Sequence, residues 1–260
     1  MAGRIIRPET GDAILELPEI GRLHIGKKQM SQSGSEYPVS VDYFIPSGKY
    51  AGMFTAALGE KPQTIQVIFP DDDPSKVCNE RYEYRDDKGA LVARGDGRIF
   101  EVWDGKKYAP YSVEQYPDIM QQVTAQNPKK TLREDYDGWD ILLTLRFIVP
   151  SVRGVVGVWT ISTKGGQSSI KNVRNSFDAV QMMRGTVTTS VFDLSVHFHK
   201  SNKPNQNSRY PVLELVCNDT RIDTIQQMLK PESTTKNLLL SGQWLSLQQI
   251  KVAATTNTEI

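Results

Sequence analysis

Four groups of residues have types and spacings that could do chemistry, and each has a plainer structural explanation beside it. The first is Thr163-Lys164-Gly165-Gly166-Gln167-Ser168-Ser169, which joins a strand to an amphipathic helix. Free backbone N–H groups and the helix dipole favour an anion at such a start. Lys164, Ser168 and Ser169, with Lys171, Arg174 and Arg184 further along the helix, are therefore the candidate phosphate or DNA contacts. The glycines, lysine and hydroxyls are not in the order of a nucleotide-hydrolysing phosphate loop, and an ordinary capped helix start accounts for the same residues. The second group, His197-Phe198-His199, puts two imidazoles on one face of a strand, where His24 or Cys217 could join them as metal ligands. Without a paired Cys or a His-Glu helix motif, surface or structural histidines are the favoured reading, and no metal or other cofactor is assigned. The third group, Asp71, Asp72, Asp73 and Asp96 with Asp86 and Asp87, could suggest a nuclease-like metal site. The first three precede Pro74 at an expected helix cap and the others fall at turns, where Asp bonds local backbone. No catalytic residue is assigned.

The fourth group lies in Thr64 to Asp104, the most informative stretch of the chain. An apolar strand (Thr64 to Phe69) leads to an acidic cap (Asp71 to Pro74), then to Cys78-Asn79-Glu80-Arg81-Tyr82-Glu83-Tyr84-Arg85-Asp86, a turn, and Leu91 to Arg98. Alternation in Glu80 to Arg85 sends one face inward and presents Glu and Arg on the other, as a β-meander requires. Asp86-Asp87-Lys88-Gly89 is a hairpin-closing turn, and Gly95 and Gly97 flank Asp96 where a bend or a close backbone approach is wanted. Arg81, Tyr82, Tyr84, Arg85, Arg94 and Arg98 are the candidate partner-binding residues. Glu80, Glu83 and Asp86 are mixed among them and no RNA-recognition signature is present, so a protein interface fits better than nucleic acid. Arg and Tyr are also frequent interface anchors.

The elements that must position these groups follow from periodicity. Strands are expected at Gly21 to Lys28 and Val41 to Ile45, separated by a loop at Gln29 to Pro38, with a short helix at Tyr50 to Leu58. After the meander come a strand at Ile99 to Trp103 and a helix at Ser112 to Val123, with Pro117 near its first turn. A polar stretch at Asn127 to Gly138 suggests a linker. Beyond it lie β-rich runs at Trp139 to Val149 and Val155 to Ser162. The clearest helix is Gln167 to Arg184, with Ile170, Val173, Phe177, Val180 and Met183 as its apolar stripe. Strands at Val191 to Lys200 and Tyr210 to Cys217, an Asn202 to Asn207 loop, a helix at Asp219 to Lys230 and a weakly ordered tail from Pro231 complete the reading. It is an α+β protein, mainly antiparallel sheets with flanking helices, in two packed β-rich units: residues 1–130 with the charged meander and 131–230 with the basic amphipathic helix, then the tail 231–260.

A chain of 260 residues with 38% hydrophobic and 23% charged residues has the composition of an ordinary globular protein, and a net charge of +1 argues against a strongly cationic nucleic-acid clamp. The charge is uneven. Glu60 to Asp140 holds 17 acidic and 12 basic residues, whereas Lys164 to Tyr210 holds 2 acidic and 7 basic. Such opposition can steer a partner, or it can be complementarity between packed parts of one molecule. The opening residues do not read as a signal peptide, no apolar run approaches a membrane span, and Cys78 and Cys217 read as buried thiols rather than a disulfide.

The Thr64 to Asp104 segment resembles the recombination directionality factors that some temperate phages pair with large serine integrases. Supporting blocks stand in order at Gly21-Arg22-Leu23-His24-Ile25-Gly26-Lys27-Lys28, at Trp159-Thr160-Ile161-Ser162-Thr163-Lys164-Gly165-Gly166 with Ser168-Ser169-Ile170, and at Arg209-Tyr210-Pro211-Val212. Together they span roughly Gly21 to Leu215. The resemblance implies a non-enzymatic, cytoplasmic phage or prophage protein that binds a large serine integrase on its attachment sites and favours excision over integration, with at most weak direct DNA contact. The alternatives from the residues alone are a nucleic-acid-binding protein of phage replication or mobile-element maintenance and a metal-dependent nuclease.

Overall fold

The computed structural model describes residues 17–129, 137–164, 166–200 and 208–218. The Asn202 to Asn207 loop, the Asp219 to Lys230 helix and the tail from Pro231 lie outside them, and the expected linker lies partly outside. The described elements belong to the unit Met1–Cys217. In chain order they are β1 (Glu19–Met30), β2 (Glu36–Ser47), α1 (Ala51–Leu58), β3 (Thr64–Val67), α2 (Pro74–Val77), β4 (Cys78–Arg85), β5 (Leu91–Gly95), β6 (Ile99–Trp103), β7 (Tyr108–Ser112), α3 (Ile119–Gln126), β8 (Trp139–Phe147), β9 (Val158–Thr163), α4 (Gly166–Arg184), β10 (Phe192–Lys200) and β11 (Arg209–Cys217).

Eight strands form one sheet in the order β2-β1-β9-β8-β4-β5-β6-β7, and three form another in the order β11-β10-β3. All described strand pairs are antiparallel except β1 with β9, so the protein is α+β with mainly antiparallel sheets and flanking helices. Strands from both sides of Lys130 share each sheet, β4 pairing with β8 and β3 with β10.

Three elements differ from the sequence expectation. Half of the Gln29 to Pro38 stretch is strand, because β1 and β2 pair out to Met30 opposite Glu36 and leave only residues 31–35 to turn the chain. The Ser112 to Val123 helix starts seven residues late, at Ile119. Tyr108 to Ser112 is instead strand β7, which folds back on β6 through the Asp104-Gly105 turn and pairs Trp103 with Tyr108 and Ile99 with Ser112. Pro117, which has no N–H to donate, stays just outside the helix. On α4, Ile170, Val173 and Phe177 are buried but Met183 is 84% exposed. Two successive steps of three residues each fall about 60° short of a full turn, which carries Met183 about 120° away from Phe177. Half-buried Gln181 and exposed Arg184 lie on the Phe177 side of the helix instead. Gln181 donates to the Asp72 carbonyl at 2.8 Å and Arg184 to Ser190 Oγ at 3.2 Å.

One face of the large sheet is covered. Alternation in β8 turns Leu143, Leu145 and Phe147 inward, where they meet Leu23, Trp159 and Ile161 and the apolar sides of the small sheet, α1 and α4. Phe69 stands edge-on to both Phe177 and Phe192 with ring centroids 5.1 Å apart. A second cluster lies under α3, where Tyr84, Phe100 and Trp139 pack with Ile119 and Val123. Gly95 permits the close approach of β5 to β6 here, since a Cβ on it would lie 2.4 Å from the Phe100 ring.

Cys78 is buried in the main core and unbonded to any other cysteine. Burial, with Asp178 and Glu80 nearby, pushes its thiol up to about 12. The folded protein keeps the proton where the unfolded chain, with a thiol near 8.5, releases it, so this group's contribution to stability is intact below about pH 8.5 and lost as the pH rises above it. Cys78 is expected to react with a thiol reagent at neutral pH only on unfolding, its labelling rate rising with urea in step with loss of structure.

Candidate functional site

The opposite face of the large sheet is open, and alternate residues of β1, β9, β8, β4, β5 and β6 furnish it. A depression of about 630 Å3 crosses β1, β9, β8 and β4 and is lined by six cationic and two carboxylate side chains. A second, of about 500 Å3, lies over β4, β5 and β6 beside α4. Ser75, Asn79 and Arg81 line both, so the two are continuous.

Glu83 is the centre of this face. Its side chain is 1% exposed, Arg81 donates to Oε1 at 3.0 and 2.6 Å, and Arg85 donates to Oε2 at 3.1 and 2.9 Å. All three sit on the outer side of β4, two residues apart, and the arginines lie over the carboxylate as a lid. One carboxylate serves two guanidinium groups, which leaves a positive excess. Across the sheet Arg94 stands opposite both Glu83 and Glu101 and donates to Glu101 at 2.6 Å. Lys164 pairs with Asp140 at 2.6 Å.

At the β1 end, Glu19 accepts from Arg22 at 2.7 Å and from Thr160 at 3.0 Å. Burial alone would raise the Glu19 carboxyl, but the Arg22 and Thr160 hydrogen bonds and the nearby Arg22 and Arg146 charges hold it below its ordinary value. Arg146, opposite Thr160, reaches the Leu17 carbonyl at 3.4 Å and makes no ion pair among the described residues. At the far end Trp103, 45% exposed, lies against Tyr108 with centroids 5.2 Å apart, and Arg94 sits 5.0 Å over the Tyr108 ring.

Of the candidate partner-binding residues, Arg81, Arg85 and Arg94 come together on this face and Arg98 is exposed in the adjoining β5–β6 turn. Tyr82 and Tyr84 point the other way. Tyr84 is fully buried and donates to the Asn127 carbonyl at 2.6 Å, and Tyr82 packs beside Phe100. Glu83, expected to be presented outward, is covered by its two arginines. Arg22, Thr144, Arg146, Thr160 and Ser162 were not among the candidates. Their signal was the polar-apolar alternation of β8 and the polar positions of β1 and β9, and only the strand order shows that they share a face with Arg81.

The candidate phosphate contacts do not converge. Ser169 is fully buried and accepts from the Leu213 N–H at 3.1 Å, while Ser168 and Lys171 are exposed. Arg174 pairs with Glu80 at 3.1 Å. Lys164–Asp140 and Arg174–Glu80 join the basic stretch to the acidic one, so part of the charge opposition is complementarity within the molecule.

His197 and His199 hydrogen-bond to each other at 2.8 Å between Nε2 atoms. Cys217 pairs with Phe192 at the far end of β10, five residues or about 16 Å from His197, and His24 lies in the other sheet bonded to Ser47. Among the described residues no group of three or more His, Cys, Asp or Glu could hold a metal.

The aspartates hold backbone. Asp73 caps α2 through the Ser75 N–H, Asp86 accepts from Lys88 and Ala90, and the Ile99 and Arg98 amides keep the Asp96 carboxyl below its usual value. Asp72 accepts from the Thr186 hydroxyl and the Val187 and Thr188 N–H groups at 2.7–3.1 Å. Asp72→Ala is expected to leave those donors unmet and cost about 1–3 kcal/mol, read as a lower urea midpoint with faster amide exchange at Val187 and Thr188.

The fold and its open face define an α+β protein bearing a two-part charged groove, with exposed Trp103 and half-buried Tyr108 further along the same face. A family model described as Gp3-like, recombination directionality factor-like, matches residues 20–218, and the chain belongs to that family. No curated protein and no solved structure matches it. Among the described residues no helix is long and apolar enough to cross a membrane.

Proposed function

We propose that this protein is a phage or prophage recombination directionality factor that binds a large serine integrase already on its attachment sites and turns it from integration toward excision. The observation that carries the reading is the family match over residues 20–218. It acts in the cytoplasm without a cofactor and makes or breaks no covalent bond. The factor must bind one arrangement of the integrase more tightly than another, and the bias it imposes cannot exceed that difference in affinity. Arg81, Arg85, Arg94 and Arg98 are the proposed contacts, with Tyr82 and Tyr84 fixing the strand that carries two of them. The internal pairing of Lys164 and Arg174 is the observation that disfavours a phosphate-binding helix as the working surface.

The test is equilibrium binding to a candidate large serine integrase, measured with and without attachment-site DNA. A stable complex is expected in both cases, with no mobility shift of DNA by this protein alone at about 0.15 M salt. Tight binding to DNA alone, weakening steeply with salt, and no complex with the integrase would overturn the proposal.

A further inference from the structure

We infer that the open face of the eight-stranded sheet docks a carboxylate-bearing protein surface, with a cationic half on β1, β9, β8 and β4 and an apolar anchor on β6 and β7. The inference deepens the reading above and rests on it only for the partner's identity.

Three observations carry it. Positive charge is in excess in the first depression: of its six cations Arg22 pairs with Glu19, Lys76 with Asp71 and Lys164 with Asp140, which leaves Arg81, Arg85 and Arg146 against Glu83 alone. The excess is localised: Arg81 and Arg85 share Glu83, and Arg146 has no ion-pair partner among the described residues. The floor between Arg146 and Arg81 is polar and able to donate. There Thr144 pairs with Asn79 across the strands and with Ser162 through a 3.0 Å hydroxyl contact. Finally, Ile99 and Trp103 are 52% and 45% exposed on the same side of β6, with Tyr108 beside Trp103. Trp, Tyr and Arg ringed by polar side chains form the composition of an interface hot spot.

Protein fits this face better than nucleic acid. A duplex presents a negative charge about every 1.7 Å, and its phosphates would meet Glu19 in the first depression and Glu80, Asp96, Glu101 and Asp178 in the second. No aromatic side chain lines the cationic depression to stack on a base. A protein surface can set carboxylates against Arg146 and Arg81, place cations over the second depression and insert an apolar side chain beside Trp103.

Amide chemical shifts of the full-length protein, titrated separately with poly-L-glutamate and with a short DNA duplex at about 0.15 M salt, supply a test that needs no partner. Poly-L-glutamate is expected to move resonances in β4, β8 and β9, and the duplex to leave them unmoved. The reverse pattern assigns the face to nucleic acid and overturns the inference. In a second arm a candidate large serine integrase is titrated with wild type, Arg146→Glu, Trp103→Ala and the control Lys171→Glu, each checked for an unchanged melting temperature. Arg146→Glu and Trp103→Ala are each expected to weaken binding tenfold or more, and Lys171→Glu to leave it unchanged. Wild-type affinity in the first two variants removes this face and leaves the proposed function standing. A glutamate response on β4, β8 and β9 with no integrase binding by wild type supports the face and removes the integrase reading.

Discussion

Replacing Arg81 and Arg85 together with alanine is expected to cost about 3 kcal/mol, well beyond the sum of the two single changes at about 1 kcal/mol each. Glu83 is almost completely covered, and what covers it is its own ligands. Either arginine alone still donates two hydrogen bonds to the carboxylate, so a single replacement leaves the charge compensated. Removing both strands a carboxylate among the side chains of β4, β5 and β8, and an uncompensated buried charge costs about 3–5 kcal/mol. The lower figure applies because each arginine is 37% exposed, and the vacated space admits water. Urea unfolding of the two singles and the double closes a mutant cycle, in which a coupling energy of about 1 kcal/mol or more is expected. Converting all three at once, Arg81→Met, Glu83→Leu and Arg85→Met, is expected to recover most of the loss, because no charge is then left to solvate. Additive singles would show that Glu83 is reached by water despite its lid.

Phe177→Ala is expected to cost about 3–5 kcal/mol, more than any single replacement on the open face. Phe177 is fully buried where α4 meets the small sheet, edge-on to Phe69, which is itself edge-on to Phe192. Three rings from three parts of the chain leave little freedom to collapse into the space, so the cavity adds its cost to the lost transfer energy. The helix is also tied to β11 through Ser176, which donates to the Leu215 carbonyl, and this holds it away from a compensating shift. A lower urea midpoint at an unchanged slope is the expected result, whereas a changed slope would indicate that α4 detaches while the sheets persist.

Much of this was legible in the chain. Alternation along Glu80 to Arg85 identified a strand with a charged side, and the same alternation turns Tyr82 and Tyr84 inward, away from the arginines beside them in sequence. Asp73-Pro74 read correctly as a helix start, and Asp86 and Asp96 as turn residues, because those roles are settled by a few neighbouring bonds. What stayed hidden depends on partners distant in sequence. Arg22 and Arg146 share a face with Arg81 only because β9 and β8 lie between β1 and β4, an order fixed by how the whole sheet is threaded. The burial of Glu83 depends on side-chain conformations that fold two arginines over it. β7 was hidden because Tyr108 to Ser112, with Pro110 at its centre, is acceptable only as an edge strand. Met183 was misplaced by counting threes where the helix needs 3.6 residues per turn.

The most direct test of the central claim is recombination by a candidate large serine integrase on purified substrates, with and without this protein. Conversion of the hybrid attachment sites left by integration is expected to go from near zero to substantial as the protein approaches stoichiometry with integrase, with a matching fall in the integration reaction. Hybrid sites that stay unrecombined at saturating protein, with integration undiminished, would contradict the account.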